Sequence, residues 1–353
     1  MSKVLMKGNE AVGAAAIKAG CKYFFGYPIT PQNEIPEFMA RELPKVGGVF
    51  LQAESEISAI NMVYGAAGAG ARVMTSSSSP GIALKQEGIS YIAGAELPCV
   101  IVNMVRGGPG LGGIQPSQSD YFQATRGGGN GDYRHIVYAP ASIQEAVDLV
   151  MEAFDVADYY RNPVIILGDG MIGQMMEPVE FKEPKKRELP PKNWATVGTK
   201  GERKPNVINS LYIDPKILED HVIRLEEKYA RMKENEVRHE EYNLEDAEVV
   251  IVAYGTTSRI AKNAIAKCAE AGIKVGLIRP ITLWPFPDAA FDKISEKTKA
   301  LLTVEMSTGQ MIDDVKIAVN GRKPVHFYGR TGGMVPTPDA IAEEIKKIVG
   351  GDK

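Results

Sequence analysis

The sequence predicts an α/β protein: a doubly wound, mostly parallel sheet followed by a second, smaller α/β domain. Along about the first 170 residues, apolar runs of four to seven residues alternate with helical patterns of ten to sixteen. Apolar runs without alternation are typical of parallel strands covered by helices on both faces. A charge-rich stretch near the middle of the chain separates this part from a shorter series of the same kind, which indicates the second domain.

The elements of the first part are expected in close succession. Its first helix is expected to be capped by Asn9 and to end at Gly20. The other helices are predicted at residues 32–43, at residues 55–68, after Pro80-Gly81 and from about Ser142. The strands between them are predicted at residues 23–25, 49–52, 72–76, 99–105, 136–138 and 164–167.

The middle of the chain is expected to connect the two domains. Residues 178–205 are rich in Pro, Lys and Glu, as extended surface segments are. Asp214 and Pro215 then offer an N-cap and a first helical residue. An apolar stripe predicts that the helix which follows bridges the domains, and its members are Ile217, Leu218, Val222, Leu225 and Tyr229.

The second domain is expected to begin near Ala247. A turn at residues 255–258 leads into a helix, and the strands are predicted at residues 249–253, 274–278, 301–305 and 325–328. The domain organisation expected from these patterns is residues 1–178, a connection with its bridging helix at residues 179–245, and residues 246–353.

Composition narrows the class of function. The 41 basic and 44 acidic residues nearly balance, so nothing in the charge points to nucleic acid or an anionic membrane surface. The longest apolar stretch, at residues 97–105, is far shorter than the roughly 18 residues of a membrane span. The N-terminus has no signal-peptide core, so a cytoplasmic protein is expected. The three cysteines are widely spaced and form no CxxC motif, which argues against a disulfide scaffold or an iron–sulfur cluster in this chain.

Two loops at predicted strand ends carry polar residues of special interest. The first, GYPITP at residues 26–31, holds a threonine hydroxyl between two prolines. A rigid turn in which Thr30 or Asn33 caps the next helix explains it equally well. The second places Glu54 and Glu56 at the start of a helix. Acidic residues there commonly complement the helix dipole, but residues 57–70 carry almost no charge, so the helix is expected to be buried on all sides and its acid partly desolvated.

Two further loops are rich in hydroxyls or glycine. Residues 75–81, TSSSSPG, lead into an apolar helix; they suit either phosphate binding at a helix N-terminus or ordinary serine capping. Residues 106–113 begin with Arg106 after a central strand and contain five glycines. The glycines allow close approach of the backbone to a ligand, and the guanidinium offers a fork for a carboxylate.

Several familiar sites are missing from the sequence. The four histidines are isolated and no metal-ligand spacing is present. There is also no G-x-S-x-G elbow and no Walker loop. A hydrolase of the nucleophile-elbow type and a P-loop nucleotidase are therefore not expected.

Taken together, the loops resemble the alpha subunit of 2-oxoacid:ferredoxin oxidoreductases. The matching stretches in the first part are GYPITP (26–31), ESEISAINMVYGAAGAGARVMTSSSSPG (54–81), ELPCVIVNMVRGGPG (96–110) and QPSQSDYFQATRGGGNGDYRHIVYAP (115–140). In the second part VVIVAYGTTSRIAKNAI, IKVGLIRPITLWPFP and LLTVEMSTGQM resemble the transketolase C-terminal-like domain of the same subunits. The resemblance covers nearly the whole chain in order, and it implies that the first domain is of the thiamine diphosphate pyrimidine type.

The resemblance also implies roles for individual residues. Counted back from Val63-Tyr64-Gly65-Ala66, the glutamate of the family falls on Glu56, which would hydrogen-bond N1′ of the aminopyrimidine. Thr30 and Arg106 would face the substrate, with Arg106 pairing its carboxylate. The remaining residues expected beside the cofactor are Pro28, Ile29, Thr75 and Ser76.

Cofactors and partners follow from the same resemblance. A thiamine diphosphate-binding beta subunit would hold the diphosphate and its Mg²⁺, and iron–sulfur clusters would be carried only by partner subunits, which include gamma and ferredoxin-like subunits. The 2-oxoacid would be decarboxylated oxidatively to an acyl-coenzyme A and CO2, and electrons would pass to ferredoxin. No metal ligand is expected in this chain, and neither nucleic acid nor a membrane is an expected partner.

The substrate is less firmly indicated. Subunits that act on 2-oxoglutarate usually read RGGPSTG, whereas this chain reads RGGPGLG from Arg106. The more apolar loop resembles the branched-chain, 2-oxoisovalerate type. The alternatives are a 2-oxoglutarate:ferredoxin oxidoreductase alpha subunit, another thiamine diphosphate subunit of the transketolase or 2-oxoacid dehydrogenase type, and a non-catalytic scaffold subunit.

Overall fold

The computed structural model describes residues 3–182 and 187–350, which form two sheets covered by helices and a small two-stranded sheet. The strands, in chain order, are β1 Val4–Lys7, β2 Tyr23–Gly26, β3 Val49–Gln52, β4 Val73–Ser77, β5 Cys99–Val105, β6 Ile136–Tyr138, β7 Pro163–Asp169, β8 Met176–Val179, β9 His239–Tyr242, β10 Val249–Val252, β11 Val275–Pro280, β12 Thr282–Trp284, β13 Ala300–Glu305 and β14 Val325–Gly329.

The α-helices alternate with the strands over most of the chain. In order they are α1 Gly8–Lys18, α2 Glu34–Glu42, α3 Glu56–Gly68, α4 Ser79–Gly94, α5 Tyr121–Arg126, α6 Ile143–Tyr160, α7 Gly170–Gln174, α8 Pro215–Asn235, α9 Gly255–Glu270, α10 Met311–Val319 and α11 Pro338–Gly350. Two short 3₁₀ helices lie at Leu43–Val46 and Asp288–Lys293.

The first sheet has seven strands in the order β12-β6-β7-β5-β4-β2-β3. All of its pairs are parallel except that of β12 with β6. The second sheet has the order β14-β13-β10-β11-β9, and only β9 is antiparallel. Mostly parallel strands joined by helices confirm the predicted fold class: a doubly wound α/β sheet followed by a smaller α/β unit.

The apolar runs form the strands because both faces of each sheet are covered. Every residue of β4, β5, β7 and β10 is buried. On the sheet's flanks α1 packs against α6, and α3 packs against α4. All ten strands predicted from apolar runs are present, whereas the prediction missed β1, β8, β9 and β12. These four are short, and all of them form the two-stranded sheet or an antiparallel edge, so their sequences carry no long apolar signal.

Two local expectations were wrong. Asn9 does not cap α1; its side chain instead donates to the Pro31 carbonyl and to Glu34 across the fold. Helix α8 begins as predicted, with Asp214 accepting from the Lys216 amide. Its apolar stripe is buried only in the second half, because Ile217 and Leu218 lie before the point where α8 meets the rest of the protein and remain exposed.

The segment between the glycine-rich residues 106–113 and α5 joins the two units. The Gln118 side chain donates to the Tyr254 carbonyl (2.9 Å) and accepts from the Met306 amide (2.9 Å). Thr256, at the start of α9, donates to Asp169 at the end of β7 (2.6 Å). These buried hydrogen bonds fix the second unit beside the carboxyl edge of the first sheet. Within residues 3–182 and 187–350, no helix combines the length and apolarity needed to cross a membrane.

Candidate active site

The four polar loops meet at one edge of the first sheet. They leave the carboxyl ends of β2, β3, β4 and β5, which occupy four consecutive positions in the order β5-β4-β2-β3 and run parallel. In open α/β sheets ligands bind outside this edge, where the helices begin. The chain therefore brings together the loops that stand out in its sequence.

Glu56 is the first residue of α3 and is only 7% exposed. The preceding residue, Ser55, caps the helix by accepting from the Ser58 amide (3.2 Å), which fixes the direction in which Glu56 leaves the loop. Glu54 is exposed and accepts from the Ser58 hydroxyl instead. The two carboxylates therefore differ in burial. Within the described residues, no hydrogen bond reaches the Glu56 carboxylate.

Gly81 opens the space beside that carboxylate. A Cβ atom at this position would lie 2.7 Å from Oε1 of Glu56 and 2.2 Å from Oγ of Ser77. Real Cβ atoms do not approach other atoms so closely, so only glycine fits here. The Glu56 carboxyl and the Ser77 hydroxyl therefore both face one point at the N-terminal turn of α4.

The serine run holds both satisfied and unsatisfied hydroxyls. Thr75 accepts from the Lys85 ammonium (2.7 Å) and Ser76 donates to Gln32 (2.5 Å), and both side chains are fully buried. The hydroxyls of Ser77 and Ser78 are buried without a hydrogen-bond partner. Ser78 occupies the N-cap position of α4 but makes no capping bond, so ordinary serine capping does not explain the run.

Arg106 ties three of the four loops together. It is 8% exposed; Nη1 donates to the Thr30 carbonyl (2.9 Å) and Nη2 to the Leu111 carbonyl (3.1 Å), while Nε is buried without a partner. Its backbone exchanges hydrogen bonds with the Ser79 hydroxyl at the start of α4. The structure therefore joins Arg106 to the Thr30 loop and leaves one guanidinium donor unused.

The first loop is more open than the others. Thr30 is half-buried and its hydroxyl accepts a long hydrogen bond (3.4 Å) from the Asn33 side chain. Neither residue caps α2, since Asn33 makes no side-chain capping bond. Pro28 is exposed and Ile29 half-buried. The alternative of a helix-capping turn is therefore wrong for both residues.

A pocket of about 530 Å³ opens beside Thr30. Its wall combines Thr30 and Pro31 with Gln115 and with Gly333 and Val335 of the second unit. Neither Glu56 nor Arg106 lines it. A larger cavity of about 1020 Å³ lies beside Glu96 and Arg161. Because these residues precede β5 and β7, that cavity is at the opposite edge of the sheet, away from the four loops.

Three polar residues near the loops were missed in the sequence. Asn103 of β5 accepts from the Ser79 amide (3.1 Å) and donates to Asp120 (2.9 Å). Burial raises the pKa of Asp120, although hydrogen bonds from Asn103 and Ser79 oppose the rise. Lys85 lies fully buried on α4. A polar residue inside an apolar run is the signal that marks Asn103. Lys85 stands next to Gln86 and Glu87, so its local sequence does not mark it as buried.

The expectation that α3 is buried on all sides was wrong. Ile57 is 50% exposed, and Asn61 and Gly65 continue the exposed face at helical spacing. The neighbouring helix α4 likewise exposes Leu84 and Tyr91. The two helices bury only the faces that meet each other and the sheet, so apolar side chains beside Glu56 are left uncovered in the single chain.

Comparison with known proteins gives the class first. A split-gene transketolase has a TM-score of 0.61 at 15% identity, with 99% of each chain covered, which shows the fold alone. Residues 14–248 match the family model of pyruvate flavodoxin/ferredoxin oxidoreductase, thiamine diphosphate-binding, and residues 247–341 match pyruvate:ferredoxin oxidoreductase core domain II. The fold and its loop-bearing edge thus define a thiamine diphosphate-binding α/β protein.

The relatives are more specific. The ketoisovalerate oxidoreductase subunit VorB of Methanothermobacter marburgensis is 52% identical over 99% of both chains. The 2-oxoglutarate synthase subunit KorA of Methanothermobacter thermautotrophicus is 38% identical over 97% of this chain and 98% of its own. The chain therefore belongs to the 2-oxoacid:ferredoxin oxidoreductase family, as a subunit of a thiamine diphosphate-dependent oxidoreductase, which confirms the resemblance.

One solved structure of a related enzyme is also similar to this chain. The 2-oxoglutarate:ferredoxin oxidoreductase from Magnetococcus marinus, with 2-oxoglutarate, coenzyme A and succinyl-CoA bound, has a TM-score of 0.88 at 28% identity. It covers 99% of this chain, whereas this chain spans 65% of that one.

Proposed function

We propose that this chain supplies the aminopyrimidine side of the active site in a 2-oxoisovalerate:ferredoxin oxidoreductase that forms an acyl-coenzyme A and CO2. The observation that carries this proposal is the buried Glu56 carboxylate, which has no hydrogen bond within the described residues and faces a notch kept open by Gly81. We also propose the division of the chain into residues 1–178, 179–245 and 246–353, with β12 returning from the last part to the first sheet.

The residues of the notch fit an aminopyrimidine ring. A ring with nitrogen donors and acceptors needs polar partners in an otherwise apolar slot, and the notch offers the Glu56 carboxyl and the unpaired hydroxyl of Ser77. Glu56 would hold or release a proton at its carboxyl toward ring nitrogen N1′, a role that partial removal from water favours. Bound thiamine diphosphate would supply the nucleophilic carbon and the electron sink for decarboxylation.

Thr75 and Ser76 support this notch from behind. Their side chains are fully buried and are already bonded to Lys85 and Gln32, so we propose that they shape the cofactor site without donating to the ring. Pro28 and Ile29 stand at the mouth, where an exposed proline and a half-buried isoleucine offer apolar contact to a cofactor.

Arg106 and Thr30 form the proposed carboxylate-binding corner. The unpaired Nε–H of Arg106 and the Thr30 hydroxyl belong to two loops that Arg106 itself holds together. A 2-oxoacid carboxylate placed there would receive a charge-assisted hydrogen bond in a nearly dry setting. Arg106 would orient the substrate, and its bonds to Thr30 and Leu111 would keep the corner in shape.

The substrate side chain is proposed to be branched and apolar. Leu111 and Ile114 stand exposed on the glycine loop that Arg106 anchors, at 84% and 57%. The 52% identity to a ketoisovalerate oxidoreductase subunit, against 38% for a 2-oxoglutarate synthase subunit, supports the same choice. A 2-oxoglutarate tail would need a cationic partner, and the loop offers leucine where that class has hydroxyls.

The remaining parts of the enzyme are proposed to lie on partner subunits. The exposed apolar faces of α3 and α4 border Glu56 and suit a beta subunit that brings the diphosphate and its Mg²⁺. The three free cysteines are buried at separate places, so we assign the iron–sulfur clusters to partner subunits, among them gamma and ferredoxin-like subunits that pass electrons to ferredoxin. Unpaired thiols suit a reducing compartment, and we place the assembly in the cytoplasm.

Co-expression of this chain with its partner subunits tests the proposed function. The purified assembly should reduce a viologen dye with 2-oxoisovalerate, coenzyme A and thiamine diphosphate. The 2-oxoglutarate and pyruvate rates serve as the comparison. A higher kcat/KM for 2-oxoglutarate would overturn the branched-chain assignment, and a colourless assembly without any 2-oxoacid-dependent reduction would overturn the function.

A further inference from the structure

Lys85 is a buried lysine without a carboxylate in direct contact. Its side chain is 0% exposed, and its ammonium donates to the Thr75 hydroxyl (2.7 Å) and to the Ser76 carbonyl (3.1 Å) at the end of β4. Within the described residues it takes part in no ion pair. A charge removed from water in this way is costly unless something compensates it, so its presence needs an explanation beyond packing.

The packing of α3 on α4 places Lys85 behind Glu56. Gly81, Lys85 and Gly88 follow at helical spacing on one face of α4. Gly81 lies against the Glu56 carboxyl, and a Cβ atom at Gly88 would lie 2.5 Å from the Ile60 side chain. Glu56 and Ile60 are themselves one turn apart on α3. The Lys85 side chain therefore leaves α4 between the contact of Gly81 with Glu56 and the contact of Gly88 with Ile60.

The electrostatics of the two groups are linked. Burial lowers the pKa of Lys85 to about 7, and the charge of Glu56 opposes the fall. The groups that meet the ammonium are the Thr75 hydroxyl and Ser76 carbonyl from β4 and, through its charge, Glu56 from α3. Among the described residues, Glu56 is the one charged side chain that acts on it.

We propose that Lys85 is a positioning residue for Glu56: its buried charge, held by β4 behind the carboxyl, sets how readily Glu56 holds a proton at the cofactor ring. This inference rests on the proposed role of Glu56. A carboxylate that loses a neighbouring positive charge keeps its proton to higher pH. Removing the Lys85 charge should therefore move the pH range in which Glu56 can exchange that proton.

The test compares Lys85→Met and Lys85→Gln in the assembled enzyme with Lys228→Met. Lys228, on α8, is a matched control, since it is also a buried lysine, 3% exposed, but pairs with Glu96 at the edge of the sheet opposite the four loops. Both Lys85 variants should move the acidic limb of kcat to higher pH by about one unit. KM for the 2-oxoacid should stay within about twofold, and Lys228→Met should change only the melting temperature.

Two measurements do not depend on turnover. The pH at which the circular dichroism of the bound cofactor changes should move with the kinetic limb, and thiamine diphosphate affinity should acquire the same altered pH dependence. Lys85→Gln keeps a donor for Thr75 but removes the charge. If it restored the wild-type profile while Lys85→Met did not, Lys85 would act only through its hydrogen bonds and the proposal would fail.

A double variant separates this inference from the proposed function. In the Glu56→Gln background, Lys85→Met should produce no further shift in the dichroism titration, because its effect passes through Glu56. An equal shift in both backgrounds would overturn the role of Lys85 alone. Full turnover by Glu56→Gln would instead overturn the proposed function. If Lys85→Met did not assemble, the Lys85→Gln titration would decide the question by itself.

Discussion

Two buried glutamates stand at the carboxyl edges of the two sheets, and their surroundings are opposite. Glu305 ends β13 and is 0% exposed; it accepts from the backbone amides of Gln310, Met311 and Ile312 and from the Ser307 hydroxyl. Glu56 is almost as buried but receives no hydrogen bond within the described residues. Burial is thus shared by a carboxylate that holds a helix in place and by the carboxylate proposed to bind the cofactor, and only the second leaves its hydrogen-bonding capacity unused.

Glu56→Gln should have the largest effect on activity. An amide cannot share a proton with a ring nitrogen as a carboxyl group can, so kcat of the assembled enzyme should fall by about 10²- to 10⁴-fold. Folding and assembly should be unchanged, as judged by melting temperature and subunit ratio. Glu54→Gln is the matched control because that carboxylate is exposed. A crippled Glu54→Gln with an active Glu56→Gln would mean that the functional carboxylate lies two residues earlier.

Glu305→Gln should show the reverse pattern. The amide keeps one acceptor oxygen but turns an NH₂ group toward backbone donors at the start of α10, which should cost about 1–3 kcal/mol in the free energy of unfolding. Denaturant titration of the chain measures this loss. The kcat per folded assembly should remain within about twofold. A large fall in kcat without a loss of stability would break the distinction between the two carboxylates.

Arg106→Lys tests whether the carboxyl edge of the first sheet binds the substrate carboxylate. Lysine keeps the charge but not the fork that spans the Thr30 and Leu111 carbonyls. The kcat/KM for the 2-oxoacid should fall by at least about tenfold, or 1.4 kcal/mol, with thiamine diphosphate affinity nearly intact. Equal losses of substrate and cofactor affinity, together with a lower melting temperature, would show that Arg106 serves only to tie down its loops.

Lys85, at the carboxyl edge of the first sheet, should make the free energy of unfolding depend on pH. The residues at the carboxyl edge of the second sheet should contribute no such dependence. Its pKa is about 7 in the folded chain because of burial, against about 10.4 in the unfolded chain. Between these values the unfolded chain binds the extra proton, so stability rises with pH. The free energy of unfolding of wild type relative to Lys85→Met should rise by about 1.4 kcal/mol per pH unit from about pH 7 to 10. A flat difference would mean that Lys85 titrates normally.

Much of the fold could be read from local patterns because parallel strands and their helices leave local signals. Asp214 caps its helix as expected, and Ser55 and Ser142, predicted as the first residues of their helices, are the caps directly before them. The short edge strands could not be predicted in this way: His239–Tyr242, for example, reads HEEY and becomes a strand only because β11 offers it a free edge. Asn9 was misjudged for a similar reason, since partners distant in sequence outcompeted the local cap.

The candidate site was predictable as a set of loops but not as a set of contacts. The order of parallel strands brings the loops to one edge, and this follows from the fold class. That Arg106 holds the Thr30 carbonyl, or that Lys85 reaches Thr75, depends on pairs 76 and 10 residues apart in the chain. In the sequence Lys85 stands beside Gln86 and Glu87, as a lysine on an exposed helix face would, so its burial could not be predicted.

The glycines of α3 and α4 set a limit on how this chain can be engineered for heat resistance. Replacing helical glycine by alanine commonly gains about 1 kcal/mol, because alanine is the better helix former. Gly65 would accept a methyl group, since no atom lies within 4 Å of the added Cβ. At Gly81 the same methyl group would occupy the notch beside Glu56. Substitutions chosen by helix propensity alone would therefore include one that fills the proposed cofactor site.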